Sequence, residues 1–421
     1  MNDKQFLLPQ RHREDKDGSA QKKIMLNRRD LLRTAAGAVA MSAVSYAQVP
    51  GANDRINLGV IGCGGRGLRV MQIFQKNPAI RVSGVCDIWG RRTEEARQKA
   101  PGSSGFADHR KLLEMNDLDA VLIGTPDHWH AQIAIDAISA GKDVYIEKPL
   151  TLRIEEGPEI VKAARVNKRI CQVGMQQRSG HHYLRAKQEY MDTGKLGKIM
   201  LTRTWWNGNR AHLRKAPAAL ATKPADLDWA RYLGPLKWRD YDPQQYYNFR
   251  AYLDFGGGLV TDLFAHWIDV IHMFIGEEIP GSAVAAGGIY QYKDGRTAPD
   301  TINVLLEYPG EWTATFEATL APGTRGSGVE LIGTEGRLLI DRRHFEFHSA
   351  ETGAPPVIVK AQGNLTEDHV ENFLKCVHTR RLPAGDVLIG HRSAQACHLG
   401  NLAYLQKRRL EFDPIREEIL P

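Results

Sequence analysis

Three glycines between an apolar segment and a helix-like segment restrict the fold of this chain more than any other feature. Residues 56–61, INLGVI, have the composition of a buried strand, and the pattern Gly62-x-Gly64-x-x-Gly67 follows them at the start of a predicted helix. In such a pattern the first glycine permits a tight turn, the second lets a pyrophosphate approach the backbone, and the third permits close helix–strand packing. We therefore expect a dinucleotide at this turn, contacted by the loop residues Gly62, Gly64, Gly65, Arg66 and Gly67.

The second predicted strand, residues 81–87, ends on a carboxylate. Asp87 follows Gly67 by twenty residues, and an acidic side chain at this place accepts hydrogen bonds from the adenosine ribose hydroxyls and repels a 2′-phosphate. Arg91 and Arg92 come shortly afterwards, and their charges are compatible with such a phosphate. The pattern favours NAD over NADP as the cofactor.

Strand-like and helix-like segments alternate from Ile56 to about residue 174. Alternation at this spacing predicts a parallel, doubly wound sheet. The segments that we expect to be its strands are residues 56–61, 81–87, 120–125, 143–147 and 170–174.

Longer alternating runs follow, such as TINVLLEY at 301–308. Such runs are typical of antiparallel strands with one buried face, and an irregular segment rich in Trp and Tyr, residues 205–255, precedes them. The predicted fold class is thus α/β. We expect a Rossmann domain with a doubly wound parallel sheet over residues 54–174, and a C-terminal α+β domain with an open, mostly antiparallel sheet over residues 175–412.

The first 47 residues have the pattern of an export signal. Arg28 and Arg29 precede a mildly apolar stretch that ends at Val44, and small residues up to Ala47 fit a cleavage site. The paired arginines are typical of twin-arginine (Tat) signals, so we expect residues 1–47 to direct the folded protein through the Tat machinery to the periplasm. A basic, unstructured tail with a chance Arg-Arg pair is the alternative.

Charge and cysteine content argue against several classes of function. Residues 1–47 hold nine of the 56 Lys and Arg residues and five of the 49 Asp and Glu residues, so the remainder has 47 basic and 44 acidic side chains. A balance so close to neutral argues against nucleic acid or an acidic membrane as a partner. No apolar run reaches the roughly 18 residues of a membrane span. The five cysteines lack metal or disulfide spacing and are interpreted as reduced.

The predicted strand at residues 120–125 leads into a turn with the sequence Thr-Pro-Asp-His-Trp-His. Thr125 and Pro126 end the strand at the edge where open α/β sheets bind ligands, and we expect both residues, together with His130, to lie against the ribose and nicotinamide. Asp127 is interpreted as a helix cap and Trp129 as a packing residue. Because the His-x-His pair lacks a distant third ligand, we predict no metal here.

The next strand ends in Glu147 and Lys148, two charges that an otherwise apolar strand must accommodate. Its end falls in the same crevice, so we expect Lys148 beside the nicotinamide, where its proton can be given or taken during hydride transfer. We expect Glu147 to hold Lys148 in place. The alternative is a solvent-facing ion pair.

A second group of polar residues lies on a helix predicted from about Leu259 to Ile275. Asp262, His266 and Asp269 are spaced to share one face of it. His266 can accept a hydroxyl proton as hydride leaves the carbon, and Asp262 can orient the substrate or tune the basicity of the imidazole. A metal site is the weaker interpretation, since the Glu and the third ligand of a zincin-type motif are missing.

Four motifs together resemble the Gfo/Idh/MocA oxidoreductases, a family that includes glucose–fructose oxidoreductase and inositol dehydrogenase. They are Gly-Cys-Gly-Gly-Arg-Gly at 62–67, Thr-Pro-Asp-His-Trp-His at 125–130, Glu-Lys-Pro at 147–149, and Asp262-x-x-x-His266. The resemblance extends over nearly all of the chain beyond residue 55. It implies a catalytic set of Lys148, Asp262 and His266, a cis Lys148–Pro149 bond, carbohydrate substrates, and a homo-oligomer formed through the C-terminal sheet.

Candidates for substrate contacts lie at two places: the start of the predicted C-terminal domain, and the residues before the glycine run at 256–258. We expect Gln177, Arg178 and Arg250 near the crevice, together with His266. Aromatic residues that are compatible with a sugar platform are Trp205, Trp206, Tyr246 and Tyr247. Packing between domains is the simpler explanation for each aromatic residue taken alone.

The functional prediction is an NAD(P)-dependent oxidoreductase that acts on a CH–OH group of a sugar, polyol or glycoside and, if exported, retains its cofactor. The alternative is a glycoside hydrolase or lyase that uses NAD for transient oxidation and elimination. In the N-acetylgalactosaminidase-like branch of the family the Glu-Lys-Pro lysine is typically replaced, whereas this chain keeps Lys148. A sensor that binds without turnover has no need of Lys148, Asp262 and His266 together.

Overall fold

The computed structural model describes residues 55–323 and 326–421 of the chain. The predicted Tat signal, residues 1–47, lies outside the described residues. The part that is described forms two β-sheets, one parallel and one mostly antiparallel. Within this part, no helix combines the length and the apolar character needed to span a membrane.

The first sheet has six parallel strands in the order β3-β2-β1-β4-β5-β6. Its strands are β1 (Ile56–Ile61), β2 (Ile80–Cys86), β3 (Ser104–Phe106), β4 (Ala120–Ile123), β5 (Asp143–Ile146) and β6 (Cys171–Val173). All residues of β4 and β5 are buried, because helices cover both faces of a parallel sheet. The predicted doubly wound sheet is confirmed, and β3 is an addition, since its sequence Ser-Gly-Phe has no buried apolar run.

Eleven α-helices are found in the described part of the chain. They are α1 (Gly65–Phe74), α2 (Gly90–Lys99), α3 (His109–Leu113), α4 (His130–Ser139), α5 (Glu156–Val166), α6 (His181–Ala186), α7 (Trp229–Leu233), α8 (Pro243–Tyr247), α9 (Ala265–Ile275), α10 (Leu365–Thr379) and α11 (Val387–Gln406). Short 3₁₀ turns occupy Asp127–Trp129, Gln176–Ser179, Arg210–Leu213, Ala218–Leu220 and Phe249–Ala251, and π-helical turns occupy Lys187–Met191 and Val260–Phe264.

The second sheet has ten strands in the order β14-β13-β12-β11-β7-β10-β9-β8-β15-β16. Its strands are β7 (Ile199–Asn207), β8 (Ser282–Gly288), β9 (Thr301–Tyr308), β10 (Trp312–Thr319), β11 (Ser327–Gly333), β12 (Gly336–Ile340), β13 (His344–Ser349), β14 (Val357–Lys360), β15 (Leu410–Asp413) and β16 (Glu418–Ile419). Neighbouring strands are antiparallel except β7 and β10. Alternate residues of β9, namely Ile302, Val304 and Leu306, are buried in the core under this sheet, so the predicted open, mostly antiparallel sheet is also confirmed.

The last two helices return to the first sheet. Phe373 of α10 packs edge-on against Phe74 and Tyr145, with ring centroids 5.9 and 5.8 Å apart. Helix α11 contributes Ala394 to the apolar core of the first sheet and Leu399 to that of the second. The core of the first sheet is therefore completed by residues from the end of the chain, and one helix belongs to both cores.

Candidate active site

The glycine loop between β1 and α1 shows which of its glycines the protein itself requires. Gly62 has φ +88°, and a Cβ there would lie 2.7 Å from the backbone of Gly124. A Cβ on Gly67 would lie 2.0 Å from the Gly62 carbonyl oxygen. On Gly64 the nearest atom to such a Cβ would be Nη1 of Arg92 at 3.7 Å, so nothing in the described chain forbids a side chain there. The open space over Gly64, at an α-helix N-terminus without a side-chain cap, fits a pyrophosphate.

Asp87 anchors this loop as well as ending β2. Its Oδ2 accepts a hydrogen bond from the Cys63 N–H at 2.9 Å and its Oδ1 accepts one from the Trp89 N–H at 3.0 Å. Burial raises the pKa of Asp87, and the Arg92 guanidinium opposes that rise. Each carboxylate oxygen keeps a second lone pair for a ribose hydroxyl. Arg92 itself lies over the Tyr246 ring, 5.1 Å from its centroid.

His130 does not face the cofactor crevice as predicted, and this expectation was wrong. The ring is 1% exposed, with Nδ1 2.7 Å from the Pro149 carbonyl oxygen and Nε2 3.0 Å from that of Thr125. Burial lowers the pKa of His130 to about 4, and a neutral ring has one N–H, so one contact at a time is a hydrogen bond. His130 thus links the turns after β4 and β5, and the Lys148–Pro149 bond is cis.

Asp127 is not a helix cap, which corrects a second expectation. Its carboxylate caps neither the 3₁₀ turn that it begins nor α4, and it accepts a hydrogen bond from the Gly257 N–H instead. Burial raises the pKa of Asp127 to about 7; Asp262 adds to the rise, while Arg250 and Lys148 oppose it. The turn after β4 is therefore tied to the glycine run that precedes the Asp262 segment.

Glu147 does not hold Lys148 in place, because each of the two side chains has a different partner. Oε1 of Glu147 lies 2.9 Å from Nε of Arg66, in the glycine loop. Lys148 instead lies against Asp262, with Nζ 2.7 Å from Oδ1 and 2.5 Å from the backbone carbonyl oxygen. The strand end therefore carries two ion pairs, one directed to each domain of the chain.

Asp262 is the centre of a buried cluster of charges. Besides Lys148, it accepts hydrogen bonds from Nε2 of His212 at 2.8 Å and from Nε of Arg250 at 3.1 Å. Burial acts to raise the pKa of Asp262, but Lys148, Arg250 and the His212 hydrogen bond together hold it well below its usual range. The carboxylate is therefore ionised at neutral pH and fixes three side chains from separate parts of the chain.

The segment that carries Asp262 differs from the single helix predicted from Leu259 to Ile275. Asp262 lies in a π-helical turn and His266 in the α-helix that follows. Asp269 does not join the other two, because its Oδ1 lies 2.7 Å from Nε of Arg178 and 3.1 Å from Oγ of Ser393. The expected face of three polar residues therefore contains only Asp262 and His266.

His266 is 7% exposed, and its Nδ1 is buried without a hydrogen-bond partner among the described residues. Burial lowers the pKa of His266 well below its usual range, and the nearby Lys148 and Arg342 charges act in the same direction. The ring is therefore neutral at pH 7. Its centroid lies 5.8 Å from that of Trp206.

The predicted substrate contacts separate into different environments. Gln177 is 1% exposed, and both of its amide atoms lack a partner in the described structure. Arg250 lies on Asp262, whereas Arg178 forms the buried pair with Asp269. We therefore interpret Arg178 as a structural residue, which corrects its assignment as a substrate contact.

The four aromatic residues also do not form one platform. Trp205 and Trp206 point to opposite faces of β7, and only Trp206 lies beside His266. Tyr246 packs edge-on against Trp89 and under Arg92, near Asp87. Tyr246 thus belongs with the loop that holds the nucleotide side of the crevice.

Two residues of this region were missed by the sequence analysis. His212 lies in an irregular segment, and no local spacing connects it to Asp262, fifty residues away. Arg342 follows β12, where an arginine in a turn has no distinctive pattern. Only the spatial arrangement identifies either residue.

Buried polar atoms without partners indicate that this crevice is shaped for ligands. Such atoms occur elsewhere in the described residues as well, and those on side chains at the glycine loop or beside His266 are Arg66 Nη2, Thr125 Oγ1, His266 Nδ1, and Arg342 Nε and Nη2. Buried polar groups in native proteins nearly always have a partner. The uncapped helix over Gly64 and these unpaired donors and acceptors together fit a nicotinamide dinucleotide and a polar substrate.

Two family models match the chain. One, described as an oxidoreductase family with an NAD-binding Rossmann fold, matches residues 56–175. The other, the GFO/IDH/MocA C-terminal domain, matches residues 230–339. Together the two matches cover more than half of the chain.

Individual proteins are similar to this chain over different shares of its length. The scyllo-inositol 2-dehydrogenase (NAD(+)) of Bacillus subtilis is 24% identical over 344 residues, 78% of this chain and 88% of that protein. The alpha-N-acetylgalactosaminidase of Shewanella oneidensis is 31% identical over 125 residues, 28% of this chain and 27% of that enzyme. Levoglucosan dehydrogenase in complex with NADH and levoglucosan shares the fold, with a TM-score of 0.67 and 18% identity over 85% of this chain and 99% of that one. The chain is an oxidoreductase that belongs to the Gfo/Idh/MocA family, with that family's NAD-binding Rossmann domain.

Proposed function

We propose that this protein oxidises a CH–OH group of a sugar, polyol or glycoside with NAD. The observation that carries the proposal is the Asp262 cluster, in which Lys148, His212 and Arg250 meet on one carboxylate. Lys148 follows Glu147 directly, and Glu147 pairs with Arg66 of the glycine loop, so the cluster adjoins the nucleotide site. A bound nicotinamide supplies the hydride acceptor, and the protein's own residues must remove the hydroxyl proton.

Lys148 is suited to orient the hydroxyl group of the substrate. An ammonium has three N–H donors, and two of them are engaged by Oδ1 and the carbonyl oxygen of Asp262. The third remains for the substrate oxygen. Because Asp262 fixes the Lys148 side chain at two points, Lys148 can donate this hydrogen bond to the hydroxyl oxygen and hold it in position.

His266 is suited to accept the proton. Its ring is neutral at pH 7 because burial and the positive charges of Lys148 and Arg342 disfavour the imidazolium. A neutral ring nitrogen can accept the hydroxyl proton as the C–H bond breaks. In this proposal Lys148 holds the hydroxyl oxygen and His266 accepts its proton.

The test is a turnover assay with inositols, sugars and anhydrosugars, in which the absorbance of the reduced nicotinamide is followed. Wild-type protein should reduce NAD with at least one of these alcohols. His266→Ala and Lys148→Ala should each lower kcat by about 10²–10⁴-fold, the usual contribution of proton-transfer groups, while NAD binding persists. Turnover at the wild-type rate in both variants would exclude the assignment.

A second candidate function is glycoside cleavage through transient oxidation and elimination. The match to the alpha-N-acetylgalactosaminidase of Shewanella oneidensis favours keeping it, although that match spans only 27% of that enzyme. Chromogenic glycosides distinguish the two functions. Release of the aglycone without net reduction of NAD supports cleavage, and accumulation of an oxidised sugar supports the dehydrogenase.

For the cofactor we propose NAD rather than NADP, retained by an enzyme that residues 1–47 direct through the Tat machinery to the periplasm. Asp87 supports this choice, since a buried carboxylate at the ribose disfavours a 2′-phosphate. Arg92 beside Gly64 is the feature that would favour NADP. Denaturing the purified protein and identifying the released nucleotide decides the question, and stoichiometric NADP would overturn the choice.

We also propose that the outer face of the ten-stranded sheet joins copies of the chain. Exposed residues from neighbouring strands β7, β9 and β10, namely Arg203, Asn303 and Glu317, lie on this face. Light scattering should give a mass above that of one chain, and Glu317→Arg should reduce it. A monomeric wild-type protein would contradict the proposal.

A further inference from the structure

Arg342 lies in the turn between β12 and β13, and the backbone of that turn is firmly held. Asp341 Oδ1 accepts hydrogen bonds from the N–H groups of Arg343 at 2.7 Å and His344 at 2.9 Å. The Asp341 carbonyl oxygen contacts Nε2 of His182 at 2.9 Å. The place from which the Arg342 side chain extends is therefore fixed by the protein.

Two of the three guanidinium nitrogens of Arg342 are buried, and the side chain forms no ion pair among the described residues. Its Nε and Nη2 atoms are inaccessible to solvent and have no hydrogen-bond partner in the described residues. It rests on two indole rings, with Cζ 5.0 Å from the centroid of Trp206 and 6.0 Å from that of Trp267. Such stacking leaves the in-plane N–H donors free, and an unpaired buried charge is costly unless a ligand satisfies it.

The other cations of the crevice are already paired, which sets Arg342 apart. Arg66 pairs with Glu147, and Lys148 and Arg250 share Asp262. Arg342 therefore differs from them in having no carboxylate in direct contact. Burial lowers the pKa of Arg342 and Arg66 adds to that effect, while Tyr183 and the Asp262 charge oppose it.

Arg342 is also close to the reacting groups. The indole of Trp206 lies under its guanidinium, and the same ring is 5.8 Å from the ring of His266. A molecule that contacts both Arg342 and His266 must therefore extend across Trp206. The pyrophosphate is expected over Gly64, whereas Arg342 contacts Trp206, the ring that lies beside His266, so its position also suits a group of the substrate.

We propose that the substrate is a sugar acid, whose carboxylate Arg342 binds while one of its hydroxyl groups is oxidised beside Lys148 and His266. This rests on the proposed function, since it assigns the substrate class of the same site. A planar carboxylate matches the fork of guanidinium donors, and it supplies acceptors for the two nitrogens of Arg342 that have no partner. The ring of the sugar then lies against Trp206.

The test compares acids with neutral sugars that differ from them at one carbon. The pairs are D-glucuronate with D-glucose, D-galacturonate with D-galactose, and D-gluconate with D-glucitol, assayed with NAD and the full-length protein. Wild-type protein should use at least one acid with a kcat/KM about 10–100-fold above that of the matched neutral compound. This is the effect expected from one charge-assisted bidentate contact. Arg342→Gln should reduce this ratio to near unity.

Arg343→Gln is the matched control, since Arg343 is adjacent, exposed and paired with Asp341, and it should keep the wild-type preference. Melting of both variants shows whether they fold. A neutral sugar preferred over every acid, or an acid preference that survives Arg342→Gln, would overturn the proposal.

Binding measurements separate this inference from the proposed function. Calorimetric titration of the acids into the NAD-loaded protein should show saturable binding that Arg342→Gln weakens and Arg343→Gln does not. Such binding without any turnover would support the carboxylate site and contradict the dehydrogenase. Oxidation of neutral sugars with no binding of any acid would support the dehydrogenase and contradict the carboxylate site.

Discussion

The Nζ atom of Lys148 lies 2.7 Å from Oδ1 of Asp262, although the two residues are 114 positions apart in the chain. Lys148 follows strand β5 of the nucleotide-binding sheet by two residues, and Asp262 lies in a π-helical turn before α9. The pair can form only when both halves of the molecule are folded and in place. Catalysis should therefore depend on the charge of each partner.

Asp262→Asn keeps the size of the side chain and removes its charge. We expect kcat to fall by about 10²–10⁴-fold, as for loss of an acid–base group, because Lys148 and Arg250 lose the carboxylate that positions them. Binding of NADH should change little, which the fluorescence of its reduced nicotinamide can measure. Lys198→Ala is the control, since Lys198 forms an exposed ion pair with Glu311, and a similar loss of activity in this variant would contradict the specific role.

His212 is a positioning residue, since it acts through Asp262. His212→Phe should lower kcat about tenfold, and it should raise the pKa of Asp262, because the hydrogen bond that helps to keep this pKa low is lost. The acidic limb of the pH–rate profile should then move to higher pH. His212→Asn keeps an N–H donor and should restore part of the activity, so equal losses in both variants would count against this role.

Asp127 should make stability depend on pH. Its pKa is about 7 in the folded protein and about 4 when unfolded, so between these values the folded state binds more protons. The free energy of unfolding should therefore fall with rising pH by about 1.4 kcal/mol per pH unit from this group, and should level off above pH 7. Asp127→Asn keeps an acceptor for the Gly257 N–H and should remove this dependence. Denaturant titrations at pH 5 and pH 8 measure it, and a wild-type protein that loses no more stability between these pH values than the variant would show the assignment to be wrong.

Gly64 and Gly67 should respond differently to the same substitution. Gly64→Ala meets no backbone and has an allowed φ of −74°, so stability should stay near that of the wild type while NAD affinity falls at least about tenfold, since the methyl group enters the space for the pyrophosphate. Gly67→Ala places Cβ 2.0 Å from the Gly62 carbonyl oxygen and should destabilise the fold by about 1–3 kcal/mol. Thermal melting with and without NAD measures both effects. Unchanged NAD affinity in a folded Gly64→Ala protein would refute the pyrophosphate placement.

Export should require the two arginines at the start of the chain. Replacing Arg28 and Arg29 by Lys together keeps the charge but removes the twin-arginine pattern, and the unprocessed protein should then accumulate in the cytoplasm. Replacing Lys22 and Lys23 by Arg is the control and should leave export unchanged. Fractionation of cells followed by mass determination of the mature protein measures both, and equal export of the two variants would contradict a Tat signal.

The fold was largely predictable because its signals are local. The strand before Gly62, the glycine spacing and the carboxylate at Asp87 lie within about thirty residues of one another, and alternation of segment types indicates a parallel sheet wherever it occurs. The same holds for the long alternating strands of the second sheet. In the first sheet, β3 was not predicted because Ser-Gly-Phe has no apolar run of the kind found in the other strands.

The candidate site was predictable only in part because its contacts are distant in sequence. The family resemblance grouped Lys148, Asp262 and His266, but the residue pattern suggested the wrong partner for Lys148 and did not identify His212 or Arg342. Helical spacing also grouped Asp269 with Asp262, whereas Asp269 pairs with Arg178 from another segment. Which charges pair is decided by tertiary packing, which one-dimensional spacing does not contain.

The packing of Phe373 against Phe74 and Tyr145 has a consequence for how the protein is made. The nucleotide-binding sheet begins at residue 56, yet its core includes side chains from α10 and α11, near the end of the chain. While the ribosome is still synthesising the second sheet, the first lacks part of its apolar cover. Tight cofactor loading must therefore wait until translation is nearly finished, and a nascent chain released before α10 would expose the face that Phe373 covers.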